Sequence, residues 1–378
     1  MKLIIVVPDG MSDWRYPELD NRSPAEYAHT PGMDELVRRG RVGLVRTMYN
    51  GLPLGSLVGF LGILGFDPRQ HFPLGRSVFE ALALGLELGP ADMAFRCNIV
   101  RVSDDDVLLD FTAGQISDAA AYQFLEGVRL PEALEIHHDL SYRNVLIYRD
   151  CPLSDEDIFL CEPHDNMGLP IQDLLPRYRN EVYRPFVEMM LESRRDGLML
   201  WPWGAGRARA FPQVPYRLFT VTALRFLYGM GVAFGGQAVI PPGATGYTDS
   251  DLSAKYGALT AHIEEYDVGI VHCNAPDEEA HIHSVEGKVR AIEDIDRQIV
   301  SPLLRFLDAC GKPYRLLLCP DHYTACDDGK HYKDPISYAV CGQGLEPDHR
   351  LSAYSEAVIL DEAKTVEECY RLVTGLLE

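Results

Sequence analysis

The sequence predicts an α/β protein, a sheet sandwiched by helices on both faces with a smaller inserted α+β domain. Short apolar runs stop abruptly at polar clusters, in "KLIIVVPDG" (2–10), "DVGIVHCNAPDEEAH" (267–281) and "YRLLLCPDH" (314–322), as buried strands of a parallel sheet do. Stretches of helical periodicity alternate with these runs at both ends of the chain. The middle of the chain breaks the alternation.

The opening run ends in Pro-Asp after about six residues with no small-residue cleavage site behind it, so it reads as a strand and not as a signal peptide. Next, "TPGMDELVRRG" predicts a helix with Thr30 as N-cap, Pro31 at the first helical position and Gly40 at its end. From 112 to 185 the chain carries acidic and His-rich loops ("LEIHHDL", "LSDEDIFLCEPHDNMGLP") and a short strand, "RNVLIYRD". That segment is expected to be the insert, splitting the core into 1–111 and 186–378. Towards the end, "HSVEGKVRAIEDIDRQIVSPLLRFLDACG" keeps Val285, Val289, Ile292, Ile295 and Ile299 at helical spacing.

Bulk properties narrow the function. The 378 residues are 47% apolar and 24% charged, close to globular averages, and no window approaches a membrane span of about 18 uncharged apolar residues. Lys and Arg total 35 against 56 Asp and Glu, a net charge of -21 that repels nucleic acid and anionic lipid. An anionic substrate would therefore need local reversal of that field by metal ions or inward-facing Arg and Lys. The nine cysteines are scattered without a C-x-x-C pair, which indicates neither a disulfide framework nor a zinc knuckle and suits a reducing cytoplasm.

Acidic and His residues fall where predicted strands end, the edge at which open α/β sheets gather ligands. Asp9 follows the first strand. Asp277 and His281 follow the second at a D-x-x-x-H spacing that puts both on one helical face. Asp321 and His322 follow the third, with His331 in the loop beyond. Singly, each has a plainer explanation as a helix cap or a solvated loop residue. Jointly, three Asp and three His suit borderline cations that accept mixed N and O ligands, such as Mn2+ or Zn2+. Two such ions can clamp a phosphoryl group and activate a serine. A lone hydroxyl of that kind, Ser56, sits in the apolar stretch "NGLPLGSLVGFLGILGFDP" (50–68), where it also suits the start of a buried helix.

At this point the chain resembles a known family, the cofactor-independent (2,3-bisphosphoglycerate-independent) phosphoglycerate mutases of archaeal type, within the alkaline phosphatase superfamily. The likeness spans nearly the whole sequence. It rests on "VVPDGMSDWRYPELDNRSPAEYAHTPGMDELVRRGRVGL", "GFDPRQHFPLGRSVFEALALGLELGPADMAFRCN", "WPWGAGR", "PPGATGYTDSDLSAK", "APDEEAHIHSVEGKVRAIEDIDR" and "CPDHYTACDDGKHYKDPISY". It implies an alkaline phosphatase-like sheet and transfer between 3-phosphoglycerate and 2-phosphoglycerate through a phosphoserine at Ser56. Two divalent metal ions are implied, Mn2+ or Zn2+ first, with Mg2+ or Co2+ also admissible. Asp9, Ser56, Asp321 and His322 resemble one site, and Asp277, His281 and His331 the other. Arg143, His164, Asp165, Arg207 and Lys255 match substrate-facing regions, and the inserted domain would cap the substrate against water.

The match departs at two positions. Members of the family usually carry an acidic residue directly after the nucleophile and a His or Asn four residues after it, where this chain has Leu57 and Phe60. Three other outcomes therefore stand beside the mutase. One is transfer on another small phosphorylated hydroxy or amino acid, as in a homoserine kinase-like branch. Another is a phosphomonoesterase with water as acceptor, and the last a non-catalytic binding homologue.

Overall fold

The apolar opening of the chain is a strand, β1 (Lys2–Pro8), buried from Leu3 onward. In the computed structural model, which describes residues 1–73, 75–154, 160–175, 183–207, 210–349, 351–356 and 366–378, β2 (Gly40–Arg46) follows. The next five strands are β3 (Met93–Val102), β4 (Leu108–Asp110), β5 (Leu134–Leu140), β6 (Arg143–Tyr148) and β7 (Leu198–Arg207). They belong to a compact unit spanning Pro73–Ala210, inserted into a first unit made of Met1–Phe72 and Phe211–Glu378. The first unit resumes with β8 (Leu218–Val221), β9 (Gln237–Val239), β10 (Val268–Cys273), β11 (Tyr314–Leu318), β12 (Tyr323–Ala325), β13 (Lys330–Tyr332), β14 (Ile336–Gly342) and β15 (Val366–Glu368).

In the first unit the sheet order is β15-β2-β14-β11-β1-β10-β8-β9. The strands β11, β1, β10, β8 and β9 run parallel, while β14 is antiparallel to both of its neighbours. Because β1 lies between β10 and β11, the three acidic loops expected from the sequence leave the sheet side by side at one edge. Ile4, Val6, Val271, Leu316 and Leu318 are buried in one cluster with Ile292, Ile295 and Ile299 of the long helical segment. Each such side chain contributes about 1.5–3 kcal/mol on burial.

Helix boundaries follow local chemistry, with one substitution of roles. Pro31–Arg39 is helical and Gly40 ends it, but the Thr30 side chain makes no capping bond. The Asp296 carboxylate does so instead, accepting from Gly32 N at 3.0 Å and Met33 N at 2.6 Å. Asp296 opens a π turn, Asp296–Val300, between the helices Val285–Ile295 and Ser301–Cys310.

The second unit is wider than the insert expected at 112–185. Antiparallel pairing of β3 with β7 runs from Met93↔Arg207 to Arg101↔Leu198, which ties both flanks into one sheet with β4, β5 and β6. "LEIHHDL", expected as a loop, is β5, paired antiparallel with β6 and half-exposed. Residues 155–159 of "LSDEDIFLCEPHDNMGLP" lie outside the described residues. Among the described residues no helix is long and apolar enough to cross a membrane.

A buried ion pair pins the loop after β1. Lys288 Nζ lies 2.9 Å from Asp13 Oδ2, with neither side chain exposed, and also donates to the Ser12 and Thr324 carbonyls. Asp13 further accepts from Tyr16 Oη and Cys326 N. Removing one partner strands a buried charge, so Lys288→Ala is expected to lower unfolding free energy by about 3–5 kcal/mol in a denaturant titration. A loss below about 1 kcal/mol would show the pair to be energetically idle.

Candidate metal centre

Everything expected to bind metal converges at the carboxyl ends of β1, β10 and β11. Asp9 follows β1, and Gly10 beside it holds φ at +58° with its N–H donating to Asp321 Oδ1 at 3.1 Å. A Cβ at Gly10 would stand 2.6 Å from Asp277 Oδ1, so no larger residue fits that turn without moving the carboxylate. Asp277 and His281 lie one turn apart on the helix Ala275–His281, with Nε2 and Oδ2 separated by 3.2 Å. His331, from β13, places its Nε2 3.4 Å from the other oxygen of Asp277 and 3.2 Å from His281 Nε2. His322 Nε2 is 3.1 Å from Asp9 Oδ1.

Ser56 joins this cluster. It is the first residue of the helix Ser56–Ile63, whose N-cap is Gly55, so the hydroxyl does not cap its own helix. Instead Oγ lies 3.3 Å from each oxygen of Asp9 and 3.2 Å from His322 Nε2. Close packing holds it there, since a Cβ on Gly59 would come within 2.4 Å of the Asp321 carbonyl. Of the two departing residues, Phe60 is fully buried, its ring edge-on to His272 at 6.2 Å, and Leu57 is half-buried.

Hydrogen bonds fix the tautomers. His281 Nδ1 faces the Gly329 carbonyl at 2.7 Å and must donate to it, which leaves Nε2 for a cation. Thr324 Oγ1 donates to Asp277 Oδ1 at 2.7 Å and therefore accepts from His322 Nδ1 at 3.0 Å. His322 Nε2 is thereby aimed at Asp9 and Ser56. Thr324 and His272 went unnoticed in the sequence. Thr324 lies only two residues from His322, and His272 interrupts an apolar strand with an imidazole.

The electrostatics are those of a site built for positive charge. Asp9, Asp277 and Asp321 are all buried, and Asp321 Oδ2 has no hydrogen-bond partner among the described residues. Burial and the charge of Asp277 push Asp9 up, but the imidazoles of His272 and His322 prevail and hold it at about 2. Asp277 is likewise buried, yet His281 and His331 keep it well below the carboxylate range. Asp321 goes the other way, driven up by burial and by the charge of Asp9. Burial opposes a charge on His322, but Asp321 and Asp9 outweigh it and raise it to about 10. The bond to Asp277 raises His281 to about 9. Three groups of ligand atoms lie within 4.8 Å of one another: Asp277, His281 and His331; Asp9, Asp277 and His322; Asp9, His272 and Asp321. Three buried carboxylates with imidazoles between them fit divalent cations that accept both oxygen and nitrogen.

Of the residues expected at the substrate, one lies in the first unit and four in the second. Lys255 lies in the first unit, fully buried, its Nζ donating to the His272 carbonyl at 3.0 Å instead of ending at a solvated turn. The others are in the second unit. Arg143 opens β6 with its guanidinium over Tyr142, and Arg207 closes β7 on the Leu153 carbonyl. His164 and Asp165 form an exposed turn, where the His164 ring packs against Trp203 at 5.2 Å. Trp203 also carries Arg96, 4.3 Å from its ring, and Arg76 and Arg96 flank Glu80, a cationic cluster missing from the sequence reading.

Fold and site together define a mixed α/β protein with a carboxylate–imidazole centre at the ends of adjacent parallel strands. Residues 37–196 match the family model for 2,3-bisphosphoglycerate-independent phosphoglycerate mutase. The chain is 35% identical to the enzyme of that name from Methanothrix thermoacetophila, over 99% of this chain and 97% of the relative. It is 34% identical to 2,3-bisphosphoglycerate-independent phosphoglycerate mutase 2 of Methanothermobacter thermautotrophicus, over 100% and 98%. Among solved structures, the cofactor-independent phosphoglycerate mutase of Thermoplasma acidophilum shares the fold, with a TM-score of 0.66 at 22% identity over 100% and 99% of the two chains. A protein from Pyrococcus horikoshii gives a TM-score of 0.73 at 23% identity, over 100% and 95%. The chain belongs to the family of 2,3-bisphosphoglycerate-independent phosphoglycerate mutases.

Cation binding must displace protons. In protein stripped of metal at pH 7, His281 and His322, at about 9 and 10, carry protons that a ligating imidazole gives up. Affinity should therefore rise with pH through 7 and beyond, and calorimetry in buffers of different ionisation enthalpy should show at least one proton released per chain. Heats independent of the buffer would contradict the assignment of these imidazoles.

Proposed function

We propose that this chain interconverts 3-phosphoglycerate and 2-phosphoglycerate through a phosphoserine at Ser56. The observation that carries this reading is the Ser56 hydroxyl, poised against Asp9 and His322 at the mouth of the buried centre. Two divalent ions there, of the Mn2+ or Zn2+ type, would lower the pKa of the serine hydroxyl and neutralise phosphoryl oxygens. The ligands proposed for one are Asp9, Ser56, Asp321 and His322, and for the other Asp277, His281 and His331.

The chain's own residues supply the rest. The Ser56 proton points at the Asp9 carboxylate, which leaves an Oγ lone pair for the phosphorus. In the first transfer the bond from phosphorus to the substrate C3 oxygen breaks as the bond to Oγ forms, and the proton that Ser56 gives up is matched by one taken up at the C3 oxygen. The second transfer breaks the bond to Oγ and forms one to the C2 oxygen, whose hydroxyl proton is released as Ser56 regains its own. The N-terminus of the helix at Ser56 favours the arriving negative charge through its dipole. Lys255 acts through its field from beneath β10, and Arg143, His164, Asp165 and Arg207 are proposed to hold the substrate. In the same proposal the second unit retains glycerate between transfers. A reducing cytoplasm is part of the same proposal, since the nine cysteines are scattered along the sequence without a C-x-x-C pair.

A second reading rests on Leu57 and Phe60. An apolar pair beside the nucleophile leaves fewer polar groups to read the acceptor, so a different small phosphorylated hydroxy or amino acid, or water, would take the phosphoryl group. Metal-replete protein given 3-phosphoglycerate is expected to form 2-phosphoglycerate and a trappable phosphoserine, both lost in Ser56→Ala by at least about a thousandfold. Free phosphate with glycerate would indicate a phosphatase. Absence of phosphoserine with every phosphorylated hydroxy acid tried would overturn the serine-transfer reading and leave a binding homologue.

A further inference from the structure

His272 belongs to none of the metal-ligand sets above that the resemblance implies, yet its surroundings are those of a ligand. It lies near the end of β10 with its side chain fully buried, and neither ring nitrogen has a hydrogen-bond partner among the described residues. A buried imidazole in that condition forfeits its hydrogen bonds to water and keeps only the electrostatic attraction of the neighbouring Asp9 carboxylate. Its Nε2 lies 3.2 Å from Asp9 Oδ2, but outside hydrogen-bonding geometry. One ligand atom each from Asp9, His272 and Asp321 falls within 4.8 Å of the others, and Asp321 Oδ2 is itself buried, without a hydrogen-bond partner among the described residues. The edge-on ring of Phe60 supplies no polar group to His272 from its side. The strand end cannot easily withdraw, because the His272 carbonyl accepts from the buried Lys255.

We propose that His272 ligates, through Nε2, the divalent cation held by Asp9 and Asp321. The centre then takes four imidazoles, with His322 and His272 both at its buried end. This inference rests on the reading that the centre binds two divalent cations. It also sharpens the class of cation: a second nitrogen ligand favours Zn2+, Co2+ or Mn2+ over Mg2+, which prefers oxygen alone. The apolar Phe60 then has a role, because a polar neighbour at that position would compete for the imidazole.

The test is proton NMR of the full chain loaded with two equivalents of Co2+. Each ligating His whose other nitrogen carries a proton gives one N–H resonance shifted far outside the diamagnetic range. Four such resonances are expected in the wild type and three in His272→Gln, with affinity for one of the two ions about tenfold weaker or worse in the variant. Should His272→Gln not fold, the count in the wild type alone, with nitrogen-labelled histidine, decides the matter. Two bound Co2+ ions with only three resonances would overturn the proposal while leaving the two-ion reading intact. Failure to take up cobalt at all would overturn both.

Discussion

Three carboxylates held together out of water are the constraint on which this structure turns. Asp9, Asp277 and Asp321 end up adjacent because β1 lies between β10 and β11 and all three strands run in the same direction. Like charges in a buried place are tolerated only with compensation, and the chain surrounds them with His272, His281, His322 and His331. Imidazole compensates that charge only in part and leaves buried carboxylates of the kind that favour a cation.

The supporting architecture follows from that constraint. Gly10 allows the chain to turn sharply past Asp277, and Gly59 allows the helix that begins at Ser56 to rest on the Asp321 backbone. Thr324 passes one hydrogen bond from His322 to Asp277, and its own carbonyl accepts from Lys288. The Asp13–Lys288 pair thus reaches the centre through one residue.

Much of this was legible in the sequence, for identifiable reasons. Strands β1, β10 and β11 announced themselves because each apolar run is short and ends in an acidic cluster, and the D-x-x-x-H spacing placed Asp277 and His281 on one face. Other features depend on distant partners and leave no local trace. Thr30 looks like an N-cap, but Asp296, far along the chain, does the work. The insert was drawn too narrow because β3 and β7 are recognisable as one sheet only through their pairing. The alternation in "LEIHHDL" was hidden by residues that remain half-exposed on both faces. His272 does interrupt an apolar strand, but a lone imidazole there carries no assignment until the fold sets Asp9 and Asp321 beside it. Lys255 is expected at the substrate after a turn-rich loop, whereas its helix buries the ammonium against the His272 carbonyl of β10, a contact the local sequence does not encode.

The central claim is that these carboxylates and imidazoles form one two-cation centre at the serine hydroxyl. Anomalous diffraction from crystals equilibrated with Mn2+ tests it most directly. The account predicts two peaks per chain, one among Asp9, Asp321 and His322 and the other among Asp277, His281 and His331, with Ser56 Oγ next to the first. A map without a peak among these residues, or with manganese only at surface carboxylates, would contradict it.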